Sequence, residues 1–241
     1  MIRFITFALL TAFASCAIAQ TVGQKFTPPP GEETPEIRKL IDRAEGWIKA
    51  KETTTSGLLK DVKLVKAHEY PRFRQLIHDH ADTGKTIIVT IDEPGQHLIV
   101  NGRIFDKHGK AAANALIYMY QTNSDGWYSD KAYHISGNEG DHRYARLFGY
   151  LRTDREGRYE FETIKPSGYP GSELPGHVHM FVEIGEGEDQ QNIGTEIQFD
   201  DDPRLTPSMR QRSEQERAII VKATTNSDGK LRASADLRVR N

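Results

Sequence analysis

From Lys85 onward the chain is a succession of short, β-branched or apolar runs. They cover residues 86–91, 98–105, 115–120, 147–152, 159–164, 177–184, 195–199, 218–223 and 231–239, each bounded by Gly, Pro, Asn or Asp. Evenly spaced strands separated by turn residues specify a mainly β fold, an antiparallel β-sandwich. Asn226-Ser227-Asp228-Gly229 reads as a hairpin turn between the last two strands, and Asp154-Arg155-Glu156-Gly157 joins another pair. Thr-Asn-Ser-Asp-Gly occurs at 122–126 and again at 225–229, which is one short match and not a repeat architecture.

The N-terminal part has a different texture. Thr34-Pro35 opens a helix, with Thr as N-cap and Pro at the first helical position. Ile37, Leu40, Ile41, Ala44, Trp47 and Ile48 then recur at three-and-four spacing. Residues 53–57 break that pattern, and a second helix is expected over about 70–82. His78 and His80 on it would point about 200° apart, as solvated residues and not a metal pair. An apolar face as regular as the first helix shows must be buried, against the sandwich or in a homodimer. The organisation expected is residues 1–19 as a signal peptide, 20–33 as a linker, 34–84 as an N-terminal helical extension and 85–241 as the sandwich.

The leader reading rests on Met1-Ile2-Arg3, an uncharged apolar run over 4–14 and the small-x-small pattern Ala17-Ile18-Ala19. It predicts an exported protein, periplasmic or secreted, with no membrane span after cleavage. Cys16 after Phe13-Ala14-Ser15 has the outline of a lipoprotein site, yet Phe13 is not the usual residue three before the cysteine. Cys16 is the only cysteine, so cleavage would leave neither a thiol nucleophile nor a thiolate ligand. With 32 Lys+Arg against 34 Asp+Glu, a formal net charge of -2, the chain lacks the basic balance of a nucleic-acid binder. It also has neither a phosphate-binding Gly-rich loop ending in Lys-Ser/Thr nor a Gly-x-Ser-x-Gly elbow.

Chemistry is concentrated in Pro175-Gly176-His177-Val178-His179-Met180-Phe181-Val182. On a strand, side chains two apart share a face with their Cα atoms about 6.6 Å apart, so both imidazoles can reach one ion. Taken alone, a His-x-His pair is by default a pair of surface or core histidines. Tyr128, after the turn Asn123-Ser124-Asp125-Gly126-Trp127, and Tyr169, in Pro166-Ser167-Gly168-Tyr169-Pro170-Gly171, lie in turns at a sandwich end. Each alone reads as a turn-packing aromatic.

Together these blocks resemble the intradiol ring-cleavage dioxygenases, the protocatechuate and catechol dioxygenase family. The resemblance runs from about 101 to 203. It is carried by Gly102-Arg103-Ile104-Phe105-Asp106-Lys107-His108-Gly109-Lys110, by Asn114-Ala115-Leu116-Ile117 with Gly126-Trp127-Tyr128-Ser129, by Thr153-Asp154-Arg155-Glu156-Gly157-Arg158-Tyr159 with Thr163-Ile164-Lys165-Pro166, and by Gly168-Tyr169-Pro170 with His177-Val178-His179. The resemblance implies a mononuclear non-haem Fe(III) held by Tyr128, Tyr169, His177 and His179. Ferric iron is hard and suits anionic phenolate oxygen, with neutral imidazoles completing the set. It also implies a catecholic substrate and O2, a ring opened between its two hydroxyl-bearing carbons, and catalytic roles for Tyr128 and for Tyr169, the ligand that yields to substrate and takes its proton. The chain departs from the family at Leu174, where an Arg is usual, at Glu196, where Gln is common, and at Tyr120, where Trp is common. Arg143, Arg146 and Arg152 are the candidates to replace the missing Arg, against the plain reading of solvated surface charges. Glu196 would bring negative charge toward the iron and disfavour acidic substrates. Two other functions compete with this one: a non-catalytic exported sandwich that binds wall polymer, glycan or a partner protein, and a hydrolytic Zn(II) site at the His pair, which two tyrosines suit poorly.

Overall fold

The computed structural model describes residues 32–129, 145–187 and 190–239. The expected leader, Cys16, nearly all of the linker and Arg143 lie outside the described residues. Helix α1 (Pro35–Lys49) begins where its capping signal stands, the Thr34 side chain accepting a hydrogen bond from the Ile37 amide at 3.3 Å. Its Ile37, Ile41 and Ala44 are buried. Residues 53–57 do not simply break the pattern, because a new helix starts inside them. Thr54 caps α2 (Thr55–Lys60), and Asp61 caps a 3-10 segment over Val62–Ala67. The second expected helix is α3 (Pro71–Asp79), which stops short of residue 82 because the chain turns at His80 and is already extended at Asp82.

The strands are β1 (Asp82–Thr83), β2 (Lys85–Ile87), β3 (His97–Phe105), β4 (Leu116–Gln121), β5 (Leu147–Arg152), β6 (Arg158–Ile164), β7 (His177–Ile184), β8 (Gln191–Phe199), β9 (Ile219–Val221), β10 (Thr224–Thr225), β11 (Leu231–Ser234) and β12 (Leu237–Arg238). Helix α4 (Pro207–Gln215) lies between β8 and β9. They form two sheets, β1-β5-β4-β7-β8-β9 and β10-β11-β3-β6-β2, with β12 beside β3. The architecture is the expected β-sandwich, and its sheets are mixed. The long central pairs β3–β6, β4–β5, β4–β7 and β7–β8 are antiparallel. Short edge pairs are parallel: β1–β5, β2–β6, β8–β9 and both β11 and β12 with β3.

Two runs read as continuous strands are broken, each for a physical reason. The 86–91 run leaves the sheet after Ile87, because Ile88 and Val89 are both buried and serve different clusters instead of alternating. The 231–239 run divides at Ala235 and Asp236. There Gly102 of β3 passes so close that a Cβ would sit 2.2 Å from the Ala235 carbonyl oxygen, and Asp236 accepts the Arg103 amide at 2.9 Å.

Ile117 and Met119 of β4, with Val178 and Met180 of β7, meet Val100 and Phe161 of the facing sheet in the main core. Burying each such side chain stabilises the fold by about 1.5–3 kcal/mol. The alternate residues of the same strands point the other way. Tyr120 and Phe148 join Ile41, Leu59, Phe73 and Ile77 of the helical part in a second cluster, which also holds Tyr128 and Tyr169. The apolar face of α1 is therefore covered in large part by the chain's own sheet and helices. Among the described residues no helix is long and apolar enough to cross a membrane.

Candidate metal centre

Strand register sets a row of side chains across the outer face of the first sheet. Phe148 stands opposite Tyr120, Tyr120 opposite His179, and His179 opposite Glu196. One step along β7, His177 stands opposite Gln198. Period-two alternation puts His177 and His179 on this face while Val178 is buried in the core, so the His-x-His spacing works as the sequence suggested. The two tyrosines arrive from loops that are tied to each other. Asn123 Oδ1 accepts the amides of Asp125 and Trp127 at 3.0 and 2.9 Å, closing the turn before Tyr128. Thr122 and Ser167 hydroxyls each donate across to the opposite loop's carbonyl at 2.6 Å, to Ser167 O and Ser124 O. Gly126 has a φ of +86°, and a Cβ there would lie 2.4 Å from Gly168 O, so this close approach requires glycine.

The result is a convergence of four side chains. The Tyr128 and Tyr169 hydroxyl oxygens are 2.6 Å apart. Tyr128 Oη is 3.0 Å from His179 Nε2, and Tyr169 Oη is 3.1 Å from His177 Nε2. The two Nε2 atoms are 3.0 Å apart. Tyr128, Tyr169 and His177 are all buried, at 2%, 4% and 7% exposure. Every sequence-derived ligand candidate is thus in one place.

The donor set fits a cation. His177 Nδ1 lies 2.8 Å from the Pro175 carbonyl oxygen, which can only accept, so Nδ1 carries the hydrogen and Nε2 presents a lone pair. His179 Nδ1 likewise faces Glu196 Oε1, at 3.4 Å. The two Nε2 atoms, 3.0 Å apart, are close enough to bind one cation together. The four donor atoms, each 2.6–3.1 Å from its neighbour, are close enough together to share one ion. His177, His179 and Glu196 also form a group able to hold a metal.

Tyr120 stacks on His179 with centroids 4.4 Å apart, occupying one side of that ring. Farther along the face Tyr118, Tyr150 and Phe181 form an aromatic patch, and Arg74 donates to Tyr118 Oη at 2.7 Å while lying over the Phe148 ring. Burial pushes the Tyr150 phenol up to about 12 and raises that of Tyr118 in spite of Arg74. Arg146 is not a solvated charge, nor is it free to support a bound ring. Its guanidinium forms a two-pronged ion pair with Glu93, with Nη2 2.7 Å from Oε1, and the Glu93 side chain is 2% exposed. Arg152 stands opposite Leu116, four residues along β5 from the centre's row, or about 13 Å. Leu174 packs beside the cluster that holds Tyr169. His68 was not singled out by sequence. It is buried, donates Nδ1–H to the Arg146 carbonyl at 3.0 Å and stacks on Phe73. Burial, with help from Arg74 and Arg146, lowers its pKa to about 4. His78 and His80 remain outside the centre, with His78 Nδ1 2.8 Å from Asp79.

Fold and site together define a β-sandwich with a largely buried Tyr2His2 donor cluster on the outer face of one sheet, roofed by helices. Residues 69–239 match the family described as Dioxygenase, and the chain belongs to the intradiol ring-cleavage dioxygenase family. It is 32% identical over 131 residues to catechol 1,2-dioxygenase 2 of Acinetobacter lwoffii, covering 47% of this chain and 43% of that one. To the protocatechuate 3,4-dioxygenase beta chain of Burkholderia cepacia it is 33% identical over 133 residues, covering 53% and 54%. The chain spans about half the length of the curated relatives it matches. Among solved structures, catechol 1,2-dioxygenase from Acinetobacter sp. ADP1 inhibited by bound mercury aligns with a TM-score of 0.51 at 16% identity, over 88% of each chain. That likeness is one of fold.

Proposed function

We propose that this protein is an exported non-haem Fe(III) dioxygenase that opens a catecholic ring between its two hydroxyl-bearing carbons and inserts both atoms of O2. The observation that carries this reading is the convergence of two phenol oxygens and two imidazole Nε2 atoms, each 2.6–3.1 Å from its neighbour. Tyr128, Tyr169, His177 and His179 would hold the iron. Bound there, ferric iron supplies a hard Lewis acid that templates the diol and draws electron density from its ring.

The chain's own residues divide the remaining tasks. His177 and His179 sit on a regular strand, and the Pro175 carbonyl fixes the His177 tautomer, so both are rigid donors. Tyr128 is held by a closed turn and by its carbonyl accepting the Arg146 amide at 2.8 Å. Tyr169 comes from the irregular segment between β6 and β7. Its Oη would be the base placed to accept one proton from the incoming diol. The roof of α1, α2 and α3 keeps bulk water from the buried donors. Export rests on the apolar run over 4–14 and on Ala17-Ile18-Ala19. A family link to catechol and protocatechuate enzymes supports the choice of a small catechol as substrate.

The test is metal analysis of the purified protein with an oxygen electrode and a catechol panel. The expected result is about one ferric ion per chain, a reddish protein, and one O2 consumed per catechol opened. A colourless protein fully occupied by another metal, consuming no oxygen with any catechol, refutes the reading.

A further inference from the structure

The two imidazoles of the centre are supported differently. His177 donates Nδ1–H to a backbone carbonyl, the neutral acceptor of Pro175 at 2.8 Å. His179 faces a side chain instead: Glu196 Oε1 lies 3.4 Å from its Nδ1 and 3.8 Å from His177 Nε2. The carboxylate oxygen thus lies against the Nδ1 edge of the His179 ring while also coming within 3.8 Å of His177 Nε2. Strand pairing puts it there, since His179 and Glu196 are direct partners across β7 and β8. A second residue holds it. Gln198, two positions on and on the same face, donates from Nε2 to Glu196 Oε2 at 3.2 Å and is itself 5% exposed. The order Gln198–Glu196–His179 thus ends on the donor cluster.

We propose that Glu196 is a positioning residue: a carboxylate that orients His179 through Nδ1–H and, by its negative charge, makes that imidazole a stronger donor than His177. The inference rests on the ferric reading above. A neutral amide at this place could accept the same hydrogen bond. A carboxylate adds full charge, which strengthens the bond and raises the basicity of Nε2. A more basic ligand makes the ferric state less electron-poor and favours it over the ferrous state. Rotating the carboxylate would shorten the 3.4 Å separation toward the ~2.8 Å of a charge-assisted bond. Gln198 limits that rotation by occupying the other oxygen, so Oε1 is left for His179. Partial exposure of Glu196, 36% for its side chain against 18% for His179, weakens the effect without removing it.

The experiment compares purified wild type with Glu196→Gln, which keeps an acceptor and loses the charge, and Glu196→Leu, which loses both. Three quantities are read besides turnover: the rate of iron loss to a chelator, the ferric/ferrous potential, and the energy of the phenolate-to-iron charge-transfer band. Glu196→Gln is expected to lose iron about 10-fold faster and Glu196→Leu about 100-fold faster. In both, the potential moves positive and the band moves to lower energy, because the iron has become more electron-poor. A merely structural role moves neither the potential nor the band. Should Glu196→Gln not fold, Gln198→Leu, which leaves the carboxylate in place but unheld, is expected to shift the band in the same direction by less. Variants that match wild type in all three readings overturn the inference, as does complete iron loss from Glu196→Gln while Tyr128→Phe retains iron, which would make Glu196 a ligand. If wild type itself holds no ferric iron and shows no band, the ferric reading fails and this inference falls with it. Wild-type iron and colour with unchanged variants refute only the role of Glu196.

Discussion

At the scale of single residues, the centre depends on tautomers and on tight backbone approaches more than on charge. The Pro175 carbonyl gives His177 its inward lone pair, and Gly126 lets the two tyrosine loops touch. Close by, His68 gives the clearest pH dependence. Its folded pKa is lowered to about 4, chiefly by burial, whereas the unfolded chain takes up that proton near 6.5. Between those values the unfolded state binds more protons, so stability falls as pH drops from about 6.5 to about 4 and is fully present above 6.5. The full effect is about 3 kcal/mol. Urea denaturation of wild type and His68→Gln across this window should show the extra loss in wild type alone. Parallel curves would disprove it. His68 was invisible in the sequence because nothing in the pattern around Ala67 and His68 marks a histidine held among Phe73, Phe148 and two arginines. Strand periodicity made His177 and His179 legible as a pair on one face, but only the family resemblance marked them, with Tyr128 and Tyr169, as ligands.

At the scale of elements, capping chemistry was as informative as hydrophobic pattern. Thr34-Pro35 announced α1, and Thr206-Pro207 carries the same signal for α4, which was not anticipated from its weakly apolar sequence. Strand ends were less legible, because they are set by partners distant in the chain, as at Ala235 against Gly102. The pentapeptide Thr-Asn-Ser-Asp-Gly makes a tight turn at both of its sites, with Gly126 and Gly229 at φ of +86° and +78°. One turn positions a tyrosine and the other only joins β10 to β11, a difference that local sequence does not contain. The Arg146–Glu93 pair is the joint among the elements: Arg146 N–H reaches Tyr128 O at 2.8 Å, and its carbonyl takes the His68 hydrogen bond. Arg146→Met strands a carboxylate that is 2% exposed and should cost about 3 kcal/mol in chemical denaturation. Adding Glu93→Leu should recover most of that loss, because no buried charge is then left unpaired. A single variant as stable as wild type would show that the pair carries no structural weight.

At the scale of the whole molecule, the sandwich supplies two faces with separate tasks. The inner face packs Ile117, Met119, Val178 and Met180 into the core, while the outer face of the same strands carries Tyr120, His177 and His179 under the helices. This division is why the helical part matters to the site. It roofs the donors, and the sequence, which required only that the apolar face of α1 be buried, could not say against what. The central claim is that two phenolates and two imidazoles hold one ferric ion. Resonance Raman spectroscopy of the purified protein, excited in its visible band, tests it most directly. Tyrosinate vibrations should be enhanced, with one set lost in Tyr128→Phe and a different set lost in Tyr169→Phe. A metal-loaded protein whose spectrum shows no tyrosinate enhancement, or is unchanged by either substitution, contradicts the account.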